Sequence, residues 1–256
     1  MPLYSIVTVC FNPPIDGLNG TIRSVLNNIA SLGDVRSEYI IVDGGSTNGA
    51  VNIINEIFVR SQLLGIKNLE VKVIIEPDKG IYDAMNKGIA KSNGRWVIFM
   101  NSGDQFSNNN TLERIRYKLD DKKSIVYGDM INRGSLVKAH PRKYLKRGII
   151  MACHQSMFFN RPLLKGLLKY NVNYTIYADY ELVVRICNRL KDSIIYLNEP
   201  ISIYEGGGIS DQISTKKRND KYRILYEYYG VLGVFRGLLH WTIERIYKLL
   251  NIKNAP

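Results

Sequence analysis

Apolar residues fall in short unbroken runs along the first hundred positions, and each run ends in a polar cluster. Ser5-Ile6-Val7-Thr8-Val9 leads into Asn12-Pro13-Pro14, and Tyr39-Ile40-Ile41-Val42 into Asp43-Gly44-Gly45-Ser46. Val71-Lys72-Val73-Ile74-Ile75 leads into Glu76-Pro77-Asp78, and Trp96-Val97-Ile98-Phe99-Met100 into Asn101-Ser102-Gly103-Asp104. Runs of this length without strict alternation predict strands covered on both faces, as in a parallel sheet. Between them lie helical stripes. Ile22, Val25, Leu26 and Ile29 share one face behind Thr21, a candidate cap. Val51, Ile54, Ile57 and Phe58 form a second stripe, and Ile81 to Ala90 a third, stopped near Gly94. Repeated β-α units with right-handed crossovers predict a mostly parallel sheet with helices on both faces. Ligands of such sheets bind beyond the carboxyl ends of the strands. Asp43, Glu76, Asp78 and Asp104 are therefore expected along one edge, a set suited to a nucleotide and a divalent cation.

Past Asp104 the pattern is mixed. It predicts a helix over 112–119, a strand over 124–127 ending at Gly128-Asp129, and a strand over 156–159. A helix over 179–190, short strands over 194–197 and 201–204, and helices over 222–229 and 234–250 follow. No internal repeat is visible.

Composition narrows the class. With 256 residues, 45% of them apolar and 23% charged, the chain can bury one good core, or a core domain with a smaller appendage. No stretch is apolar enough to span a bilayer, and the amino-terminal end lacks a secretory pattern. Cys10, Cys153 and Cys187 are odd in number and far apart, which suits reduced thiols in a cytoplasm and no disulfide framework. The formal charge is +12. From Gln212 onward there are nine Lys/Arg against three Asp/Glu, so half the excess lies in the last sixth of the chain. Nucleic acid, an anionic membrane or a phosphorylated substrate would all suit such a charge, as would a plain solvated face.

Four clusters carry candidate chemistry. At Asp43-Gly44-Gly45-Ser46 the glycines permit positive φ and close approach of a ligand, while Asp43 can accept from a base or ribose. The same residues also suit a tight turn with Asp43 as a cap. Glu76-Pro77-Asp78-Lys79-Gly80-Ile81-Tyr82-Asp83-Ala84-Met85-Asn86-Lys87-Gly88 is denser. A capped helix with an Asp83–Lys87 pair explains part of it. It leaves unexplained why Glu76, Asp78, Lys79, Asn86 and Lys87 crowd one junction. Asp104 can hold Mg²⁺ or Mn²⁺ against phosphate oxygens. In Tyr177-Ala178-Asp179-Tyr180-Glu181, either acid can stabilise a helix start or serve as a general base. Tyr204-Glu205-Gly206-Gly207-Gly208-Ile209-Ser210 is a turn or a lid over a diphosphate.

The residues Ile41-Val42-Asp43-Gly44-Gly45-Ser46, the run from Glu76 to Ile89, Asn101-Ser102-Gly103-Asp104, His154-Gln155 and Ala178-Asp179-Tyr180 resemble bacterial glycosyltransferase family 2. Within it they are most similar to enzymes that build colanic acid and O-antigen repeat units. The resemblance covers roughly residues 3–210. It implies a GT-A (Rossmann-like) α/β fold, with a mostly parallel central sheet flanked by helices and a C-terminal helical extension. The implied division is a GT-A domain over 1–210, with a nucleotide-sugar half over 1–105 and an acceptor half over 106–210. A basic amphipathic extension covers 211–256.

The implied activity is inverting transfer of a hexose from UDP-glucose or UDP-galactose, giving a β-linkage. The implied acceptor is a GlcNAc- or GalNAc-diphospho-undecaprenyl intermediate of O-antigen or exopolysaccharide synthesis. Thr8, Asn12, Asp43, Glu76, Asp78, Lys79 and Asn101 would bind the donor nucleotide. Asp104 would hold Mn²⁺ or Mg²⁺, and Asp179 would be the base. His154, Gln155, Gly207 and Ser210 would meet the acceptor or the diphosphate. Asn101 and Gly103 stand where the family's metal motif usually carries further acids. The C-terminal helix would rest on the inner face of the bacterial inner membrane, making the protein cytoplasmic and peripheral, or would instead pack on the core or form a dimer contact. A nucleotidyltransferase is the main rival, but Asn12-Pro13-Pro14-Ile15-Asp16 is neither glycine-rich nor basic. An inactive sugar-nucleotide-binding relative is another. Nucleic acid is not expected as a partner, since no binding motif accompanies the charge.

Overall fold

The computed structural model describes residues 1–191, 193–204 and 215–250. The first half is built as the apolar runs predict. Strands β1 (Tyr4–Cys10), β2 (Ser37–Asp43), β3 (Leu69–Ile75) and β4 (Trp96–Phe99) pair in parallel in the order β3-β2-β1-β4. Helices α1 (Ile15–Ala30), α2 (Ala50–Asn55), α3 (Ile57–Leu63) and α4 (Ile81–Lys91) make the crossovers. Strand β5 (Gln105–Phe106) and helix α5 (Thr111–Arg116) lead into the second half.

There β6 (Ile125–Asn132) forms a hairpin with β7 (Ser135–Val137). Strand β8 (Met157–Asn160) runs antiparallel to both β4 and β6 and so joins the two halves. After the short α6 (Arg161–Leu164) come α7 (Ala178–Arg189), β9 (Ile194–Tyr204) and α8 (Thr215–Leu249). β9 lies parallel to β6, and β5 closes that edge.

Two cores sandwich the sheet. Val7, Val9, Ile40, Val42, Val97 and Phe99 point to one face, where α4 and α7 pack. Tyr4, Ile6, Tyr39, Ile41, Trp96 and Ile98 point to the other, under α1, α2 and α5. A strand alternates its side chains, so continuous apolar sequence feeds both layers. Gly88 lets α4 sit directly on β1: a Cβ there would collide with Val7 Cγ1.

Three expectations are not met. Helix α1 begins at Ile15, six residues before Thr21. Thr21 lies inside it, and its hydroxyl donates toward Asp104 O at 2.8 Å and accepts from Gly103 N at 2.9 Å. The second stripe breaks into α2 and α3, leaving Phe58 exposed. The two short strands near residue 200 are one strand, β9, and β6 runs on past Gly128-Asp129. Register shifts beside Asp129 absorb the irregularity, and Asn198 takes φ of 50°. The helices expected over 222–229 and 234–250 are the two arms of α8, which starts earlier, at Thr215, and kinks at Gly230, where φ is 63° and ψ −160°. The first arm packs on α7 and on the 3-10 turn Arg142–Arg147, so it is part of the folded body.

Candidate active site

The loops after β1 and β2 are sewn together. Asn12, in the left-handed region at φ 43°, donates its N–H to Ser46 Oγ at 2.8 Å and accepts Thr47 N–H on Oδ1 at 2.8 Å. Asn48 Nδ2 donates to Pro13 O at 2.7 Å. Asp43 is buried beneath this seam. Its Oδ2 accepts from Gly45 N at 3.1 Å and Ser46 N at 2.7 Å, while Oδ1 faces Cys10 Sγ at 3.4 Å. Burial and the Asp43 carboxylate together push the Cys10 thiol well above its ordinary range. Asp43 thus holds its own turn open, and α2 starts separately at Gly49.

The loop after β3 closes over that turn. Asp78 Oδ2 lies so near Gly44 that a Cβ there would overlap it, and Asp78 Oδ1 accepts from Gly80 N at 2.8 Å. Asp83 Oδ2 accepts from Lys79 N at 3.0 Å, and Gly80 occupies the cap position of α4. Lys87 pins the loop from behind, with Nζ 2.7 Å from Pro77 O and 3.0 Å from Glu76 Oε1. Glu76 and Lys79 are exposed at its rim.

After β4, Thr21 holds the Asn101–Asp104 turn from α1, and Gly103 takes φ of 98° there. Asp104 is only 6% exposed. Asn101 Nδ2 sits 2.8 Å from His154 Nε2, which links the turn after β4 to the second half. Burial lowers the His154 pKa to about 4, so the ring is neutral at pH 7. Gln155 is buried beside it.

Helix α4 then reaches the second half of the chain. Tyr82 OH lies 2.5 Å from Ile176 O and 3.5 Å from Asp179 Oδ1. Asn86 grips the backbone of Tyr170 at both N and O, at 2.8 and 2.9 Å, and the Tyr170 and Tyr82 rings stack. Asp179 is the second residue of α7, behind Tyr177 at the cap position. Of the two acids in this turn, Glu181 is committed: it is buried, paired with Arg185 at 3.0 Å and bonded by Tyr228 OH. Asp179 is the one beside Tyr82.

Asn12, Asp43, Asp78, Asn101, Asp104 and His154 therefore line one edge of the sheet, and Tyr82 ties Asp179 to it. Thr8 does not reach that edge. It is fully buried in β1, with its hydroxyl 2.7 Å from Met100 O and 3.1 Å from Tyr39 OH. It clamps strands and faces no ligand space. Gly207 and Ser210 lie outside the described residues. Sequence reasoning missed Tyr82 and Thr21 as organisers, though Tyr82 sits within the densest motif.

A family model described as Glycosyl transferase family 2 matches residues 5–177. The chain belongs to glycosyl transferase family 2. A relative in Mycobacterium bovis, a PGL/p-HBAD biosynthesis glycosyltransferase, is 30% identical over 228 residues, covering 84% of this chain and 82% of its own. Among solved structures, S. aureus TarS 1-349 in complex with UDP superposes with a TM-score of 0.67 at 15% identity, over 99% of this chain and 76% of that one. Glucosyl-3-phosphoglycerate synthase from Mycobacterium tuberculosis, in complex with Mg²⁺ and UDP, gives 0.59 at 20% identity, over 90% and 80%. The family 2 assignment and these folds agree with the GT-A architecture, and the protein is a glycosyltransferase of this family.

Proposed function

We propose that this family 2 enzyme binds a UDP-sugar at the edge formed by Asn12, Asp43, Glu76, Asp78, Lys79 and Asn101. It transfers the hexose to an acceptor hydroxyl with inversion. The observation that carries the reading is α4: one helix begins at the nucleotide loop and ends its first turn against Asp179. In the reaction the acceptor oxygen bonds to the anomeric carbon as the bond from that carbon to the diphosphate oxygen breaks. Asp179 takes the acceptor proton, and UDP leaves. A single displacement turns an α-linked donor into a β-glycoside. The structural neighbours include UDP complexes and a GDP-mannose complex, and the choice of UDP rests on the resemblance of the Asp43 and Glu76–Ile89 motifs. UDP-glucose or UDP-galactose is the donor proposed here.

Among the described residues no three of His, Cys, Asp and Glu gather as a metal cage. The fit is to a cation shared with a diphosphate. Asp104 supplies a carboxylate, and buried Asn101 Oδ1 has no hydrogen-bond partner, so both offer oxygen to Mn²⁺ or Mg²⁺. When bound, such an ion offsets charge on the leaving diphosphate. His154, neutral and anchored on Asn101, orients the turn, with Gln155 beside it toward the acceptor. The acceptor proposed is an N-acetylhexosamine on a lipid diphosphate, used in O-antigen or exopolysaccharide synthesis at the inner face of the inner membrane.

Two measurements test this. Melting temperature with UDP, GDP, TDP and ATP, each with and without Mn²⁺, should rise most with UDP plus Mn²⁺. Asp179→Asn should keep that UDP shift and lose turnover. Retained turnover removes Asp179 as the base, and no shift with any nucleotide removes the donor pocket.

A further inference from the structure

The second arm of α8, residues 231–249, is inverted relative to an ordinary surface helix. Gly233 and Gly237 face inward: a Cβ on Gly237 would stand 2.6 Å from Leu225 Cδ1, and one on Gly233 2.7 Å from Leu225 O. His240, one turn on, is buried as well. The large apolar side chains point the other way. Val231 is 75% exposed, Phe235 59% and Leu239 50%, and Leu232, Leu238, Trp241, Ile246 and Leu249 are exposed with them. At about 100° per residue, Val231 lies roughly 200° around the helix from Gly233. The two arms thus close on small residues, and an apolar face is left outward. Exposed apolar patches of this kind mark interaction surfaces.

Charge says what covers it. The exposed face carries Arg236 and Arg245. The turn Arg142–Arg147, which packs against α8, brings exposed Lys143 and Lys146, and Arg147 lies over the Tyr144 ring. From residue 130 to 178 the sequence has nine Lys/Arg and no Asp or Glu. The first arm's acids are turned to the body: Asp220 accepts from Thr175 N at 3.2 Å and Glu227 from Tyr174 OH at 2.8 Å. A second copy would bring the same cations, and another chain of charge +12, against themselves. Among the described residues no helix is long and apolar enough to cross a membrane.

We infer that the outward face of residues 231–249, with the basic turn Arg142–Arg147, docks on an anionic phospholipid surface and lies in its plane. The inference rests on the membrane acceptor proposed above and specifies the surface that meets the lipid. It also orients the enzyme, because Tyr180, the neighbour of Asp179, hydrogen-bonds Leu145 O inside that basic turn. The base is thereby held one short step from the lipid-facing turn.

The test is co-sedimentation of the full chain with phosphatidylcholine vesicles, with and without phosphatidylglycerol. Binding should need the anionic lipid and weaken as salt rises. The triple variant Leu232→Gln/Phe235→Gln/Leu239→Gln should partition at least tenfold more weakly at an unchanged melting temperature. Lys143→Gln/Lys146→Gln, whose side chains are exposed on the turn, should lose preference for anionic over neutral vesicles. Wild-type protein that ignores anionic vesicles, or either variant binding as wild type does, overturns the inference. So does a wild-type dimer that the triple variant converts to monomer, which assigns the face to a second copy. UDP binding by the same samples, read by melting shift, separates a failed docking surface from a failed donor site.

Discussion

Glu38→Gln is the sharpest test of how the scaffold end of the sheet is held. Glu38 is fully buried at the start of β2, opposite the catalytic edge. Its Oε1 accepts from Lys72 Nζ at 2.5 Å and Asn93 Nδ2 at 3.1 Å. Its Oε2 accepts from Ser5 Oγ at 2.6 Å, Asn93 N at 2.7 Å and Gly94 N at 3.1 Å. All five partners are donors, and a glutamine amide has only one acceptor end. Turned the cheaper way, its NH₂ faces Lys72 and Asn93 Nδ2, and two charge-assisted bonds are lost at roughly 1.5–3 kcal/mol each. Lys72 is partly exposed and can turn to Glu70 at 3.3 Å, which discounts its share. The expected loss is about 2–4 kcal/mol, read as a fall in the urea midpoint at unchanged slope.

The pH dependence gives a second reading of the same group. Burial alone would raise the Glu38 carboxyl, but the bonds from Lys72, Ser5 and Asn93 outweigh it and hold it below its ordinary range. The unfolded chain therefore binds this proton first as pH falls. The stabilisation is complete above the unfolded carboxyl value of about 4.3 and is lost as pH falls through the lower folded value. Glu38→Gln should remove that part of the acid slope. A variant within about 0.5 kcal/mol of wild type, with the acid slope intact, would refute the network as a stabilising unit.

Three further substitutions probe the site. Gly44→Ala puts a methyl into Asp78 Oδ2 and should weaken UDP binding about tenfold, or about 1.4 kcal/mol, by calorimetric titration, with little change in melting. Tyr82→Phe removes the hydroxyl beside Asp179 and should lower kcat while leaving the donor KM unchanged. Gly88→Ala drives a methyl into Val7 and should destabilise by about 1–3 kcal/mol, seen as a lower urea midpoint.

The first four strands were legible because a parallel sheet covers both faces, so each strand is an apolar run and each functional turn a sudden polar break. Asp43, Asp78, Asn101 and Asp104 were found by that contrast, and all lie at the predicted edge. Thr21 misled because a threonine before an apolar stripe resembles a cap; its hydroxyl instead serves a turn some eighty residues away. Asn198-Glu199-Pro200 resembles a break between strands, yet pairing with β6 carries β9 through it. Thr8 shows the converse limit. A polar residue one step inside a strand can be spent on the neighbouring strand, and no local pattern distinguishes that from a ligand contact. The Asn101–His154 contact joins residues 53 apart, where spacing carries no signal. The split between Asp179 and Glu181 needed Arg185 and Tyr228 to be seen around Glu181.

Helix α4 also limits how this enzyme can change its substrate over evolution or in the laboratory. Its amino-terminal loop would shape the proposed nucleotide pocket, and Tyr82, in its first turn, reaches Asp179, the proposed base. Lys87 and Asn86 fasten the same rod to Pro77 and Tyr170. Grafting a foreign loop at residues 76–80 to admit another carrier would drag Asp179 out of register, trading turnover for the new donor. The turn at residues 101–104 hangs from α1 and touches His154 instead, so changes there would leave α4 and its contact with Asp179 in place.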